Sequence, residues 1–121
     1  MDVMPPDIAY KILTRTQFEA LRGGEFLGAP VDLADGYIHL STAAQVTETV
    51  TKHFAGQTDL MIAAVALAPL GDQLRWEVSR GGALFPHFYG VLRWEYVVAY
   101  RALDWAADGM VRLPCGNEKD I

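Results

Sequence analysis

An α+β fold, with helices packed on a mostly antiparallel sheet or split sheet, is predicted by three features of this sequence. The apolar pattern runs β-α-β-α and then mostly β. The last third carries successive strand signals instead of the regular alternation that a doubly wound parallel sheet requires. The length, 121 residues, suits one domain, with a core over about 8–103 and a weakly patterned, partly disordered tail over 104–121.

Ile8 to Leu13 (IAYKIL) reads as a first strand. Thr16-x-x-Glu19 spells a capping box and predicts a short helix from Gln17 to Arg22, stopped by Gly23-Gly24. Glu25 to Gly36 then reads as a loop punctuated by Gly28, Pro30 and Asp35-Gly36. Tyr37 to Leu40 is a short strand. Thr42-x-x-Gln45 spells a second capping box and opens a helix on which Ala43, Val46, Val50 and Phe54 recur at helical spacing, as far as Gly56. Asp59 to Leu67 is a nearly continuous apolar run fit for a strand buried on both faces. After a turn at Pro69-Leu70-Gly71-Asp72, strands follow at Leu74 to Glu77, near Phe88 to Leu92, and at Tyr96 to Ala102, with Ser79 to Gly82 as a loop.

Composition narrows the function. A net charge of −5 argues against nonspecific nucleic-acid binding, which needs a basic face to displace counterions; it leaves room for a local pocket for one phosphate. The N-terminal residues show neither a cationic nor an apolar signal segment, and Leu60 to Leu70 is too short to span a bilayer, so no membrane and a cytoplasmic location are expected. The single cysteine, Cys115, makes no internal disulfide and has no neighbour that would activate it as a nucleophile. Dispersed histidines spell no zinc site, so no metal is expected, and no oligomeric state is indicated.

Three stretches place ionisable and aromatic residues inside apolar strands. In Tyr37-Ile38-His39-Leu40-Ser41-Thr42, alternation puts Tyr37, His39 and Ser41 on one face and Ile38 and Leu40 on the core side. That polar face meets a helix N-terminus, where His39, Ser41 and Thr42 could hold a phosphate or carboxylate; Thr42 also fits a plain helix cap. In Leu74-Arg75-Trp76-Glu77, Glu77 suits a general base or the stabilisation of an oxocarbenium-like centre, against a surface ion pair with Arg75. In Pro86-His87-Phe88-Tyr89-Gly90, His87 and Tyr89 share a face and can stack on a heteroaromatic ring, while Gly90 allows close backbone approach. Arg80, beside Gly81-Gly82, could reach a phosphate from a loop. Lys11 is out of place in an apolar strand and must snorkel, sit at an edge or face a polar cleft. His53 reads as a boundary residue of the second helix.

These blocks, together with Tyr10-Lys11-Ile12-Leu13, Pro30-Val31-Asp32-Leu33, Asp35-Gly36, His53-Phe54 and Phe85, resemble a bacterial family, the domain-of-unknown-function 952 family, over roughly Ile8 to Leu103. The resemblance implies an ADP-ribosyltransferase-like fold: small, split, bent sheets with two helices and NAD held in the cleft. It implies Lys11 on the first strand where related enzymes keep an Arg or His toward NAD, Ser41 and Thr42 shaping a nicotinamide pocket, and Glu77 as the acidic residue that stabilises a ribosyl cation. Ile38-His39-Leu40-Ser41 is also similar to the histidine strand of RNA 2′-phosphotransferases. Glu77 and His39 are thus the candidate catalytic residues, and Lys11, Ser41, Thr42, Arg80, His87 and Tyr89 the candidate ligand-binding ones. The alternative is a noncatalytic small-molecule or protein-binding module on the same fold.

Overall fold

The computed structural model describes residues 7–114. Six strands form two antiparallel three-stranded sheets: β1 (Ile8–Thr14), β3 (Leu60–Ala66) and β6 (Val97–Ala102) in the order β1-β3-β6, and β2 (Ile38–His39), β5 (Leu84–Phe88) and β4 (Leu74–Val78) in the order β2-β5-β4. Three α-helices accompany them, α1 (Arg15–Arg22), α2 (Pro30–Asp35) and α3 (Val46–His53). The expected split, antiparallel α+β arrangement is observed, with one α-helix more than the sequence predicts.

The sheets are split because one strand changes partners. The Leu40 N–H donates to the Pro86 carbonyl at 3.1 Å, so the chain still belongs to the β5 sheet there. At the next residue Ser41 exchanges two backbone bonds with Tyr10 of β1, at 2.7 and 2.9 Å. A cleft opens beside this junction.

The core follows the apolar pattern. β3 is buried on both faces, as its unbroken apolar run requires, and takes the centre of its sheet. One cluster packs Phe18 and Leu21 of α1 with Ile38, Leu40, Met61, Phe88 and Tyr100. A second packs Val46 and Val50 of α3 with Ile12 and Ile62. It includes Val111, whose N–H donates to Thr47 Oγ1 at 3.0 Å, so packing continues past Leu103 into the segment expected to be unpatterned. Cys115 lies outside the described residues.

Four element assignments differ from the sequence reading. The capping box of α1 is Thr14-x-x-Gln17, two residues earlier than Thr16-x-x-Glu19: Thr14 Oγ1 accepts from the Gln17 N–H at 3.1 Å and Gln17 Oε1 from the Thr14 N–H at 2.9 Å. Both spellings are valid, and Thr14 wins because β1 delivers it in the extended conformation an N-cap needs. Residues 30–35, read as loop, form α2. Pro30 is preset for the first helical position, Asp32 Oδ2 accepts from the Ala29 N–H at 2.8 Å, and Gly36 closes the helix with φ +87°. α3 starts at Val46 rather than at Thr42 and has no side-chain cap; Gln45 folds back to accept from the Thr42 N–H at 3.0 Å. Finally, β5 runs from Leu84, ahead of the expected Phe88, with Pro86 in its middle, where the proline carbonyl accepts from the Leu40 N–H.

Gly90 is a steric requirement. A Cβ there would lie 2.7 Å from Cζ of Phe88, whose ring is packed in the core and cannot retreat. Gly90→Ala should therefore lower stability by about 1–3 kcal/mol in urea unfolding.

Candidate functional site

A buried carboxylate organises the site. Lys11 sits in mid-strand at 4% exposure and Asp32, on α2, at 2%. The Lys11 ammonium reaches Asp32 Oδ1 at 3.0 Å and Oδ2 at 2.9 Å, and donates also to the His39 carbonyl at 3.0 Å. Lys11 thus neither snorkels nor reaches for solvent. Asp32 Oδ1 accepts further from the His39 N–H at 3.0 Å and sits 2.7 Å from His39 Nδ1. His39 Nε2 lies 2.9 Å from Asp35 Oδ2. The short α2 therefore presents two carboxylates, at its third and last residues, to the two nitrogens of one imidazole.

Burial pushes the Asp32 carboxyl up, but the bonds from His39 and the charge of Lys11 outweigh it and bring the group down to about 2. Burial lowers the Lys11 ammonium from its ordinary value, opposed by Asp32.

A second constellation lies on the neighbouring strands. His39 and His87 face each other across the β2–β5 pair, with ring centroids 5.5 Å apart. His87 Nδ1 is 2.9 Å from Glu77 Oε1, and the Tyr89 hydroxyl donates to the same oxygen at 2.7 Å. Those two bonds, Tyr89's foremost, hold the Glu77 carboxyl below the usual range. The Glu77 bond in turn raises the Tyr89 hydroxyl. Tyr37 leans over the group, stacked 4.1 Å from His87 and tilted at 4.6 Å from His39 and 5.1 Å from Tyr89.

A cleft of about 720 Å³ runs beside these residues. Lys11, His39, Ser41 and His87 line it, with Asp35, Tyr37, Thr49 and His53 and an apolar side that includes Ile12, Val31, Leu40, Phe54 and Phe85. Ser41 is buried and its hydroxyl pairs with Thr49 at 3.0 Å. Glu77 and Tyr89 stand behind His87 and do not line the cleft, nor does Thr42. The Arg80 side chain lies outside the described residues. His53, at the end of α3, is exposed on the cleft rim.

Asp32, Asp35 and Tyr37 are the members that residue-by-residue reading did not single out for a role. The available signal was Lys11 itself. A lysine inside an apolar strand needs a buried counter-charge, and Asp32, flanked by apolar residues, was a candidate partner.

Two split antiparallel sheets with a cleft at their junction, walled by Lys11, His39 and Asp35 around the buried Asp32 and by stacked aromatic rings, define the class of protein. The chain belongs to the family described as "Protein of unknown function (DUF952)", whose model matches residues 12–100. It is similar to the crystal structure of protein CC0527 from Caulobacter crescentus, at 48% identity and TM-score 0.78, over 88% of this chain and 94% of that one. A double mutant of the same protein matches at 47% identity and TM-score 0.78, over the same shares of the two chains. The solution structure of CC0527 matches at 48% identity and TM-score 0.73, over 87% of this chain and 91% of that one. No curated protein matches. Among the described residues no helix is long and apolar enough to cross a membrane.

The Asp32 shift sets a pH dependence. Its folded value, about 2, lies below the unfolded 3.8, so the stabilisation is fully present above pH 4 and lost as pH falls toward 2; it amounts to about 2 kcal/mol. Urea unfolding across that range should show the loss in wild type and not in Asp32→Asn. At neutral pH Asp32→Asn should cost about 3–5 kcal/mol, because Lys11 is left buried without its counter-charge, and the double replacement Lys11→Met, Asp32→Leu should cost less than the single one.

Proposed function

We propose that the cleft binds a nucleotide ligand of the NAD or ADP-ribose type, and that Glu77 aids cleavage of a glycosidic bond by its charge. One observation carries the reading: Lys11, His39, Ser41 and His87, from three separate segments of the sequence, line one cleft of about 720 Å³. That size falls in the range of small-molecule and cofactor sites, and a mostly apolar wall with a few convergent polar groups is their usual make-up. Tyr37 and His87 offer ring faces for a heteroaromatic group. Glu77, held ionised by Tyr89 and His87, suits electrostatic support of a ribosyl cation and does not suit proton donation. In this reading Ser41, on the cleft wall, would hold the nicotinamide ribose, with Thr42 behind it and Arg80 reaching a phosphate.

A second reading, binding without turnover, is favoured by the position of Glu77 behind His87, outside the cleft lining. In that case the pocket selects a ligand and the carboxylate fixes the His87 ring.

Thermal unfolding with NAD, ADP-ribose and nicotinamide separates these readings. Saturable binding at about 100 times Kd should stabilise the fold by about 2.7 kcal/mol, a shift of several degrees for a chain of this size. Nicotinamide release by wild type that falls to background in Glu77→Gln supports the catalytic reading. A thermal shift with equal, background release by both proteins supports the second. No shift with any nucleotide overturns the proposal.

A further inference from the structure

The Lys11 ammonium, both His39 ring nitrogens and His87 Nδ1, at the polar end of the cleft, are already engaged by the protein's own acceptors. The Lys11 ammonium is on both oxygens of Asp32 and on the His39 carbonyl. His39 meets Asp32 through Nδ1 and Asp35 through Nε2. His87 meets Glu77 through Nδ1. Lys11 is the one lysine or arginine among the described side chains lining the cleft, and Asp32 neutralises it. An anionic group entering here would have to displace a carboxylate from a partner it already holds, and would meet Asp35 on arrival.

What remains on offer is of the opposite kind. Tyr37 is half-buried and lines the cleft as the outer layer of the ring cluster. Asp35 flanks it with 45% of its side chain exposed, and Glu77 stands on the far side of His87. The field of the two carboxylates is felt at Tyr37: after burial, Asp35 and then Glu77 raise its hydroxyl above the ordinary value. The cluster also holds a cation already, since the Arg75 guanidinium lies 5.2 Å over the Tyr89 ring. Electron-rich ring faces beside carboxylates, in a partly water-excluded cleft, are the surroundings that bind organic cations.

We propose that this end of the cleft takes a flat organic cation, its charge over the Tyr37 ring and facing Asp35. The inference shares its cleft with the nucleotide reading above and narrows it, because the pyridinium of an oxidised nicotinamide dinucleotide is such a cation and the reduced and ADP-ribose forms lack it. A free quaternised heteroaromatic compound is the other source of the same chemistry.

Titration calorimetry distinguishes these sources with 1-methylnicotinamide, which carries the cation without the nucleotide, nicotinamide, its neutral counterpart, and oxidised NAD, reduced NAD and ADP-ribose. The expected result is about tenfold tighter binding of 1-methylnicotinamide than of nicotinamide. Oxidised NAD should exceed reduced NAD in the same sense if the source is a dinucleotide. Asp35→Asn and Tyr37→Leu should each shrink the ratio, and Asp35, being half-exposed, can be replaced without loss of the fold. Binding of 1-methylnicotinamide with no binding of either dinucleotide or ADP-ribose upholds the cation site and overturns the nucleotide reading. Binding of ADP-ribose with no preference for the cation leaves the nucleotide reading standing and overturns this one. Equal affinity for nicotinamide and 1-methylnicotinamide, or binding of neither, overturns the inference.

Discussion

The buried pair of Lys11 and Asp32 is the constraint on which the rest of the site depends. An ammonium inside a strand, away from water, is tolerated only with a counter-charge and enough acceptors to receive its protons. Asp32 supplies the charge, and the His39 carbonyl supplies another acceptor. Both conditions act at a distance along the chain. To bring Asp32 to β1, the segment after α1 must turn back and form α2 against the sheet junction. To bring the His39 carbonyl to Lys11, β2 must run alongside. The same carboxylate receives the Ala29 and His39 N–H groups and the His39 ring, so the start of α2, the backbone of β2 and the imidazole are fixed by one group.

The change of partner between Leu40 and Ser41 has the complementary effect. A continuous sheet would bury the polar face of Tyr37, His39 and Ser41 under its neighbours or leave it flat on the surface. Because Leu40 bonds to β5 and Ser41 to β1, the backbone bends there and the polar face becomes the wall of a concavity. The apolar face, Ile38 and Leu40, stays in the core on the other side. Together the pair and the bend account for a cleft whose charged groups are committed to one another and whose exposed surface is aromatic and carboxylate.

Much of the fold was legible because it rests on short-range patterns. The double-faced burial of β3 follows from an unbroken apolar run, and the alternation of residues 37–41 assigns Tyr37, His39 and Ser41 to one face and Ile38 and Leu40 to the other. Arg75 with Glu77, and His87 with Tyr89, likewise fall on the faces that alternation gives them. The failures also have local reasons. α2 is a single turn and a half, too short to show helical periodicity, and its stability comes from Pro30, the Asp32 bond and Gly36 rather than from an apolar stripe. Thr14 and Thr16 spell competing caps, and only the end of β1 chooses between them. The strand expected near Phe88 to Leu92 lies earlier, at Leu84–Phe88, because its pairing with β4 and β2 sets its extent.

By itself the sequence determined the class of fold, the core faces of the strands, and the family, through residues whose identity and spacing are local. It also flagged Lys11 as a residue needing an explanation. Only the tertiary structure decided which carboxylate answers it. Asp32 is 21 positions away in the sequence and within 3.0 Å in space, a closeness set by the packing of α2 on the junction of two sheets. The same packing decided that His39 lies between Asp32 and Asp35, and that Glu77 stands behind His87. Charge and hydrogen bonding act over a few ångströms, and that proximity between distant segments is created by the fold.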